Sequence, residues 1–192
     1  MSAAASILPT VARVALGLAL LAPIDQLDQV VQRAVQGARR PEFEQPMRTV
    51  SGTKQGTVVF AGLLAVAIVT GPAGPATARA AIAVLLPVNA AVEVLKLSVN
   101  RARPDGERRR TNSSFPSSHA ANAAALALVL GWRWPWIAAP LWLVAATVGF
   151  SRIYLNRHFL TDVLFGMAIG VGIGWWTLQW LRSRGWTWHR TA

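Results

Sequence analysis

The chain lacks cysteine altogether and is poor in charged residues. The absence of cysteine excludes a disulfide framework, a thiolate metal site and a cysteine nucleophile, so any nucleophile must be another residue type. Charged residues make up 14% of the chain, against roughly 25% in a typical soluble domain. Apolar residues account for 53% of the 192 residues and recur in evenly spaced runs. This composition is typical of a membrane protein and leaves no room for a separate soluble domain.

The net charge of +11 does not by itself indicate nucleic-acid binding. The arginines lie in short loops between apolar runs, so anionic lipid head groups are the expected partners and nucleic acid is not. Residues 1–6 carry no charged side chain, unlike the basic start of a signal peptide. The apolar run that follows is close to the length of a spanning helix, and we expect it to be retained.

Six apolar segments predict an all-α bundle of six transmembrane helices, forming one domain over residues 1–192. The predicted spans are residues 6–23, 56–69, 76–94, 120–132, 136–150 and 162–181. Several are short for ~30 Å of hydrocarbon, so their ends should extend into the neighbouring loops. Gly166, Gly170 and Gly174 lie four apart on the last span and predict close helix packing.

Between the first two spans, residues 24–36 show a helical pattern. The apolar residues recur at helical spacing, at Ile24, Leu27, Val30, Val31 and Val35. Polar residues lie between them, namely Asp25, Asp28, Gln32 and Arg33. The pattern predicts an amphipathic helix lying in the membrane interface, and a solvated connector is the alternative.

Three polar stretches, residues 96–104, 116–119 and 151–162, carry the side chains that phosphate chemistry needs. With six spans, all three fall on one membrane face and should converge. Lys96, Arg103 and Arg152 can stabilise charge on the equatorial oxygens of a transferring phosphoryl group. Lys96 and Arg103 could share a helix face if the helix continued between them, although Pro104 marks the expected exit.

Ser117 and Ser118 directly precede an alanine-rich segment, and one of them should be the N-cap of its helix. The amides and dipole of that first turn attract phosphate, with simple capping as the alternative interpretation. His158 and Asp162 are four residues apart, which on a helix puts them on one face. A carboxylate that accepts one imidazole N–H leaves the other nitrogen free to attack phosphorus, so His158 is the candidate nucleophile.

His119, at the neighbouring helix end, is the candidate general acid for the leaving oxygen. Two histidines and an aspartate could instead bind a metal. The remaining carboxylates, however, cluster poorly, and metal-free phosphoryl transfer is favoured. Glu93 and Arg13 lie inside apolar spans, where an unpaired charge is costly, so each is expected to pair or to face the interior.

The three stretches resemble the signature of the type 2 phosphatidic acid phosphatase (PAP2) family. The first motif, lysine, six residues and Arg-Pro, is matched by Lys96, Arg103 and Pro104. The second, Pro-Ser-Gly-His, is matched by Pro116, Ser117 and His119, with Ser118 in place of glycine. The third is matched at every position by Ser151, Arg152, His158 and Asp162.

The resemblance implies a membrane lipid phosphatase that works through a phosphohistidine, without metal or cofactor. It assigns nucleophile, general acid and orienting carboxylate to His158, His119 and Asp162. It assigns phosphate binding to Lys96, Arg103, Ser117, Ser118 through its backbone amide, and Arg152. The candidate substrates are polyprenyl diphosphate, phosphatidylglycerophosphate and phosphatidic acid.

Two alternatives come from other classes of protein. A non-enzymatic phospholipid-binding or transport protein would keep the cationic pocket, but binding alone does not require His119, His158 and Asp162. A vanadate-dependent haloperoxidase would have an equivalent pocket, and the small size and the membrane spans disfavour it.

The expected location is the bacterial cytoplasmic membrane. Thirteen Lys and Arg residues lie on the predicted motif side and five on the other, which by the positive-inside rule places the motifs in the cytoplasm. The resemblance instead favours the periplasmic face, and both faces stay open. The sequence gives no indication of the oligomeric state.

Overall fold

The computed structural model describes residues 24–52, 62, 74–107 and 112–186. Within these ranges the regular secondary structure is helical, with no β-strand, as the all-α prediction requires. The helices are α1 (residues 24–37), α2 (Pro41–Val50), α3 (Gly74–Val99), α4 (Ser118–Arg133), α5 (Ala138–Tyr154) and α6 (Leu160–Ser183). A 3-10 turn, Pro135–Ile137, leads into α5.

Three segments of the described chain are long and apolar enough to cross a membrane. They are Gly74–Val99, Pro135–Tyr154 and Leu160–Ser183, with mean hydropathy 1.8, 1.4 and 1.3. Each extends beyond the corresponding predicted span, as expected from a rise of about 1.5 Å per residue. The chain is therefore an integral membrane protein.

The other predicted spans have different outcomes. The fourth, residues 120–132, lies within the 16-residue helix α4, which at about 1.5 Å per residue is shorter than the hydrocarbon thickness. The first, residues 6–23, and nearly all of the second, residues 56–69, lie outside the described residues. The count of six spans stays a prediction.

Helix α4 lies at the centre of the bundle and packs against α3, α5 and α6. Its small side chains permit close approach. A Cβ added to Gly166 would lie 2.4 Å from the Ser117 carbonyl oxygen, and one added to Gly170 would lie 2.2 Å from the Ala121 carbonyl oxygen. Gly166 and Gly170 therefore pack directly on the backbone at the start of α4, and Gly174 packs on the side chains of Leu128 and Val84. The stripe thus has its predicted packing role.

Helix α1 packs where α5 ends and α6 begins. Val31 and Val35 contact a small apolar cluster whose members are Ala120, Ile153 and Val163. Asp28 and Gln32 are buried, whereas Leu27 and Val30 are exposed. The helix predicted at residues 24–36 is therefore present, and part of its polar side faces the protein.

Candidate active site

The three polar stretches meet at one end of the bundle, where α3 and α5 end and α4 and α6 begin. The Ser117 amide donates to the Asp162 carbonyl at 2.9 Å. The Arg103 guanidinium donates to the Arg157 carbonyl at 3.0 Å. These contacts join the second and first stretches to the third.

Lys96 lies in the last turn of α3, and its ammonium group is buried at the start of α4. Nζ bonds the Glu93 carboxylate at 2.9 Å and the Ser118 hydroxyl at 3.3 Å. The Glu93 side chain is 58% exposed. Glu93 therefore pairs with a cation, as expected for a charge in a span, while it stays on the outside of the described bundle.

Arg103 does not share a helix face with Lys96, contrary to the possibility raised by their spacing. Helix α3 ends at Val99, and Asn100 follows with φ of 45°. Arg103 lies in the following loop, where its guanidinium bonds the Asn112 carbonyl at 3.2 Å and the Asn112 side chain at 2.6 Å. Arg103 therefore reaches the site from a loop that begins with a left-handed residue, and not through helical periodicity.

Helix α4 begins with Ser117 as its N-cap, as one of the two predicted alternatives stated. The Ser117 hydroxyl accepts from the Ala120 amide at 3.4 Å. Ser118 and His119 occupy the first turn, and His119 Nε2 is buried without a hydrogen-bond partner among the described residues. The His119 ring also interacts electrostatically with three nearby cations, which are Arg152, Lys96 and Arg103.

His158 is buried, with 2% of its surface exposed, in the loop between α5 and α6. Its Nδ1 lies 2.7 Å from the Ser114 carbonyl oxygen. A carbonyl can only accept, so Nδ1 carries the proton and Nε2 keeps its lone pair. Burial, and then the charges of Arg152 and Arg103, lower the pKa of His158 well below its ordinary value of 6.5. The ring is therefore neutral at pH 7.

Asp162 does not accept the imidazole proton, and the predicted direct hydrogen bond is replaced by another contact. Its nearest oxygen is 3.9 Å from His158 Nδ1. His158 precedes α6 instead of lying on it, so the spacing of four residues does not put the two on one helix face. The Asp162 carboxylate instead accepts from the Ser114 hydroxyl at 2.5 Å and from the Phe159 amide at 2.8 Å.

Arg152, in the last turn of α5, is held by the residue that follows α2. Its NH1 donates to the Ser51 hydroxyl at 2.7 Å and to the Ser51 carbonyl at 2.9 Å. Arg103 and Arg152 are both buried, and neither forms an ion pair with a carboxylate in the described part of the chain. Two buried guanidinium groups without a carboxylate partner make the site attractive to an anion.

Two carboxylates in the loop after α3 pair with an arginine of the third stretch. Asp105 and Glu107 bond Arg157 at 2.6 and 2.9 Å. Arg157 follows Arg152 in the third stretch, and its carbonyl accepts from Arg103. These ion pairs connect the loop after α3 to the loop that carries His158.

Sequence reasoning did not identify several residues that hold the site together. They are Asp28, Ser51, Arg101, Asn112 and Ser114. Arg101 could have been considered from the sequence because it lies inside the first motif, between Lys96 and Arg103. Ser114 acts through its backbone carbonyl, and a side-chain pattern does not show such a role.

The PAP2 superfamily model matches residues 77–186 of the chain. The chain is 43% identical over 83 residues to lipid A 1-phosphatase from Porphyromonas gingivalis, covering 41% of this chain and 18% of that protein. It is 36% identical over 92 residues to phosphatidylglycerophosphatase B from Bacillus subtilis, covering 41% of this chain and 45% of that protein. The chain thus spans less than half the length of these two curated relatives.

The fold is similar to that of a solved bacterial protein. The crystal structure of Aquifex aeolicus LpxE superposes with a TM-score of 0.67 at 28% sequence identity. The superposition covers 79% of this chain and 94% of that one.

Proposed function

The chain belongs to the PAP2 superfamily, and on that premise we propose that it is a membrane phosphatase that removes a terminal phosphate from a lipid phosphate or diphosphate. The observation that carries the proposal is the buried His158, whose Nδ1 bonds the Ser114 carbonyl at 2.7 Å. Nearby are the guanidinium groups of Arg103 and Arg152, neither of which pairs with a carboxylate among the described residues. This arrangement supplies a neutral nucleophile and a pocket for an anion.

In the proposed complex, cations and amides surround the phosphate. Lys96, Arg103 and Arg152 neutralise its oxygens. The amides of Ser118 and His119, in the first turn of α4, have no acceptor within their own helix and add hydrogen bonds. The Ser117 amide already donates to the Asp162 carbonyl, so Ser117 contributes through its hydroxyl and its position.

The chemistry proceeds in two steps. Burial and the charges of Arg152, Lys96 and Arg103 lower the pKa of His119 to about 4 in the free protein, so His119 takes up its proton when the phosphate anion binds and offsets those charges. His158 Nε2 then forms a bond to phosphorus while the bond from phosphorus to the leaving oxygen breaks, and His119 donates that proton to the leaving oxygen. The lipid alcohol, or the lipid monophosphate from a diphosphate, departs. In the second step His119 takes a proton from water, the water oxygen attacks phosphorus, and inorganic phosphate leaves His158.

Asp162 assists by charge rather than by accepting the imidazole proton. Positive charge develops on the His158 ring as its Nε2 bonds phosphorus, and a carboxylate oxygen 3.9 Å from Nδ1 stabilises that charge. The route uses no metal and no cofactor, because cationic side chains neutralise the phosphoryl oxygens.

The substrate class is a phosphorylated lipid. The two relatives are named for the 1-phosphate of lipid A and for phosphatidylglycerophosphate, and both of these are phosphorylated lipids. We propose the same for this chain, with polyprenyl diphosphate, phosphatidylglycerophosphate, phosphatidic acid and lipid A 1-phosphate as the candidates.

The test is phosphate release from a panel of these lipids by purified protein in detergent, with excess chelator. Wild type should release phosphate from at least one of them, and His158→Ala should release none. Vanadate should inhibit the release. Absence of release from every lipid by a folded wild type would favour a binding or transport protein, and vanadate-dependent halide oxidation would favour the haloperoxidase class.

We also propose that residues 1–192 form a single domain of six spans, with α1 in the interface. Exposed Leu27 and Val30 on α1 support contact with lipid.

Because the chain has no cysteine, a single introduced cysteine reports which side of the membrane it lies on, without background labelling of this protein. If the site is periplasmic, Glu42→Cys on α2 should react with an impermeant maleimide on intact cells and Ser183→Cys should not. The reverse pattern would place the site in the cytoplasm.

A further inference from the structure

A buried carboxylate from outside the region matched by the family model reaches the proposed active site. Asp28 lies on α1, and the match begins at residue 77. Only 1% of Asp28 is exposed. One carboxylate oxygen accepts from the Thr161 amide at 2.9 Å, and the other accepts from the Thr161 hydroxyl. A buried carboxylate costs free energy unless it is paired, so a specific partner is expected.

That partner is Arg101, which bridges Asp28 and Asp162. One guanidinium nitrogen is 2.7 Å from Asp28 Oδ2, and the other is 2.7 Å from Asp162 Oδ1. The guanidinium also lies over the Phe159 ring, 4.4 Å from its centroid. Burial alone lowers the pKa of Arg101, but the two carboxylates raise it above its ordinary value, so the cation is permanent.

The bridge leads to the nucleophile through two further contacts. The second oxygen of Asp162 accepts from the Ser114 hydroxyl at 2.5 Å. The carbonyl of the same serine accepts from His158 Nδ1 at 2.7 Å. The Ser114 amide in turn donates to the Arg101 carbonyl at 2.9 Å. Arg101 therefore holds both the carboxylate and the carbonyl that flank the imidazole.

We propose that Asp28 and Arg101 are positioning residues for phosphoryl transfer, which hold Asp162 and Ser114 in place around His158. This proposal rests on the proposed function. It assigns α1 a part in catalysis in addition to any contact with lipid. Neither residue touches the phosphate, so both should affect kcat and leave phosphate binding unchanged.

Charge distinguishes positioning from a purely structural role. The ring of His158 is faced by Arg152 from α5, Arg103 from the loop after α3, His119 from α4 and Asp162 from α6. Asp28→Asn removes a negative charge from the surroundings of His158 and should lower the pKa of the ring, so the acid limb of the kcat/KM profile should move to lower pH. Arg101→Gln removes a positive charge and should move that limb to higher pH. Loss of folding alone would not give opposite shifts.

The matched control is Asp25→Asn. Asp25 is on the same helix and contacts the same guanidinium, but at 3.3 Å and with its side chain 64% exposed. Asp28→Asn should lower kcat roughly 10- to 100-fold, the expected loss for a buried charged hydrogen bond. Inhibition by inorganic phosphate should not change, because the cations that bind it are intact. Asp25→Asn should match wild type in both measurements.

The experiment measures kcat, KM, inhibition by phosphate and the pH profile on the best lipid of the panel. If wild type releases phosphate but Asp28→Asn behaves like Asp25→Asn, the positioning role is wrong and the phosphatase stands. If wild type releases none, the proposed function fails. Should Asp28→Asn not fold, Arg101→Lys carries the test. It keeps the charge, so kcat should fall without a shift of the acid limb, and wild-type kcat would overturn the proposal.

Discussion

Replacing Asp162 with asparagine separates two ways in which a carboxylate can assist His158. A carboxylate that accepts Nδ1–H directly fixes the tautomer, and in serine hydrolases its replacement by the amide lowers kcat by about 10⁴-fold. Here the Ser114 carbonyl accepts that proton at 2.7 Å, and the carboxylate oxygen is 3.9 Å from Nδ1. The tautomer should therefore survive in Asp162→Asn.

The remaining loss is electrostatic and can be bounded. Two unit charges about 4 Å apart attract by roughly 4 kcal/mol at an effective dielectric constant of about 20. Arg101, 2.7 Å from the other carboxylate oxygen, offsets much of this attraction. A net contribution of about 1 to 3 kcal/mol then corresponds to a fall in kcat of roughly 5- to 150-fold. KM should change little, because Asp162 does not touch the phosphate.

The assay is steady-state phosphate release by purified wild type, Asp162→Asn and Asp105→Asn in one detergent. Asp105 is the control because it pairs with Arg157 in a loop, and its replacement should stay within about threefold of wild type. Thermal unfolding in detergent checks that each variant is folded. A fall of 10⁴-fold in folded Asp162→Asn would show a direct bond to the imidazole, and an unchanged kcat would show that the carboxylate only caps α6. Either result refutes the reasoning.

Three further predictions concern binding, packing and pH. Ser51→Ala removes one of the acceptors that hold Arg152, the hydroxyl at 2.7 Å, so inhibition by inorganic phosphate should weaken roughly 3- to 10-fold. Unchanged inhibition would contradict the role of Ser51 in holding Arg152. Gly170→Ala would place a Cβ 2.2 Å from a backbone oxygen of α4. It should lower the free energy of unfolding by about 1 to 3 kcal/mol, which is seen as a lower unfolding temperature in detergent. Gly172→Ala, with nothing within 4 Å, should not. His158 reacts in its neutral form, so activity should be lost as the pH falls through the lowered pKa of His158. Nitrogen-15 NMR of labelled histidines should show that the His158 ring is still neutral at pH 6.5. A half-protonated ring at that pH would contradict the proposed environment of His158.

The sequence was informative where chemistry and chain order determine the outcome. Helices that alternate in direction bring the ends of α3 and α5 to the starts of α4 and α6, which is why three separate motifs could be expected to meet. Ser117 could be predicted as an N-cap candidate because its residue type and position suit an N-cap. The glycine stripe on α6 could be predicted because spacing of four residues lies on one helix face.

The sequence was uninformative where a tertiary contact competes with local periodicity. The spacing of His158 and Asp162 suits one helix face, but α6 begins between them, and the Asp162 carboxylate serves the first turn of its own helix through the Phe159 amide. Asp28 looked like one polar residue of an amphipathic helix. Its contact with Thr161 joins residues 133 apart in the chain, and no local pattern carries that information.

The most direct measurement of the central claim is the site of covalent phosphorylation during turnover. His119→Ala, treated with a phosphate ester whose leaving group needs no proton, should accumulate the intermediate, because hydrolysis requires a base. Alkaline quenching and peptide mass spectrometry should then find an acid-labile phosphoryl group on His158. Label on any other residue, or turnover without a covalent intermediate, would contradict the account.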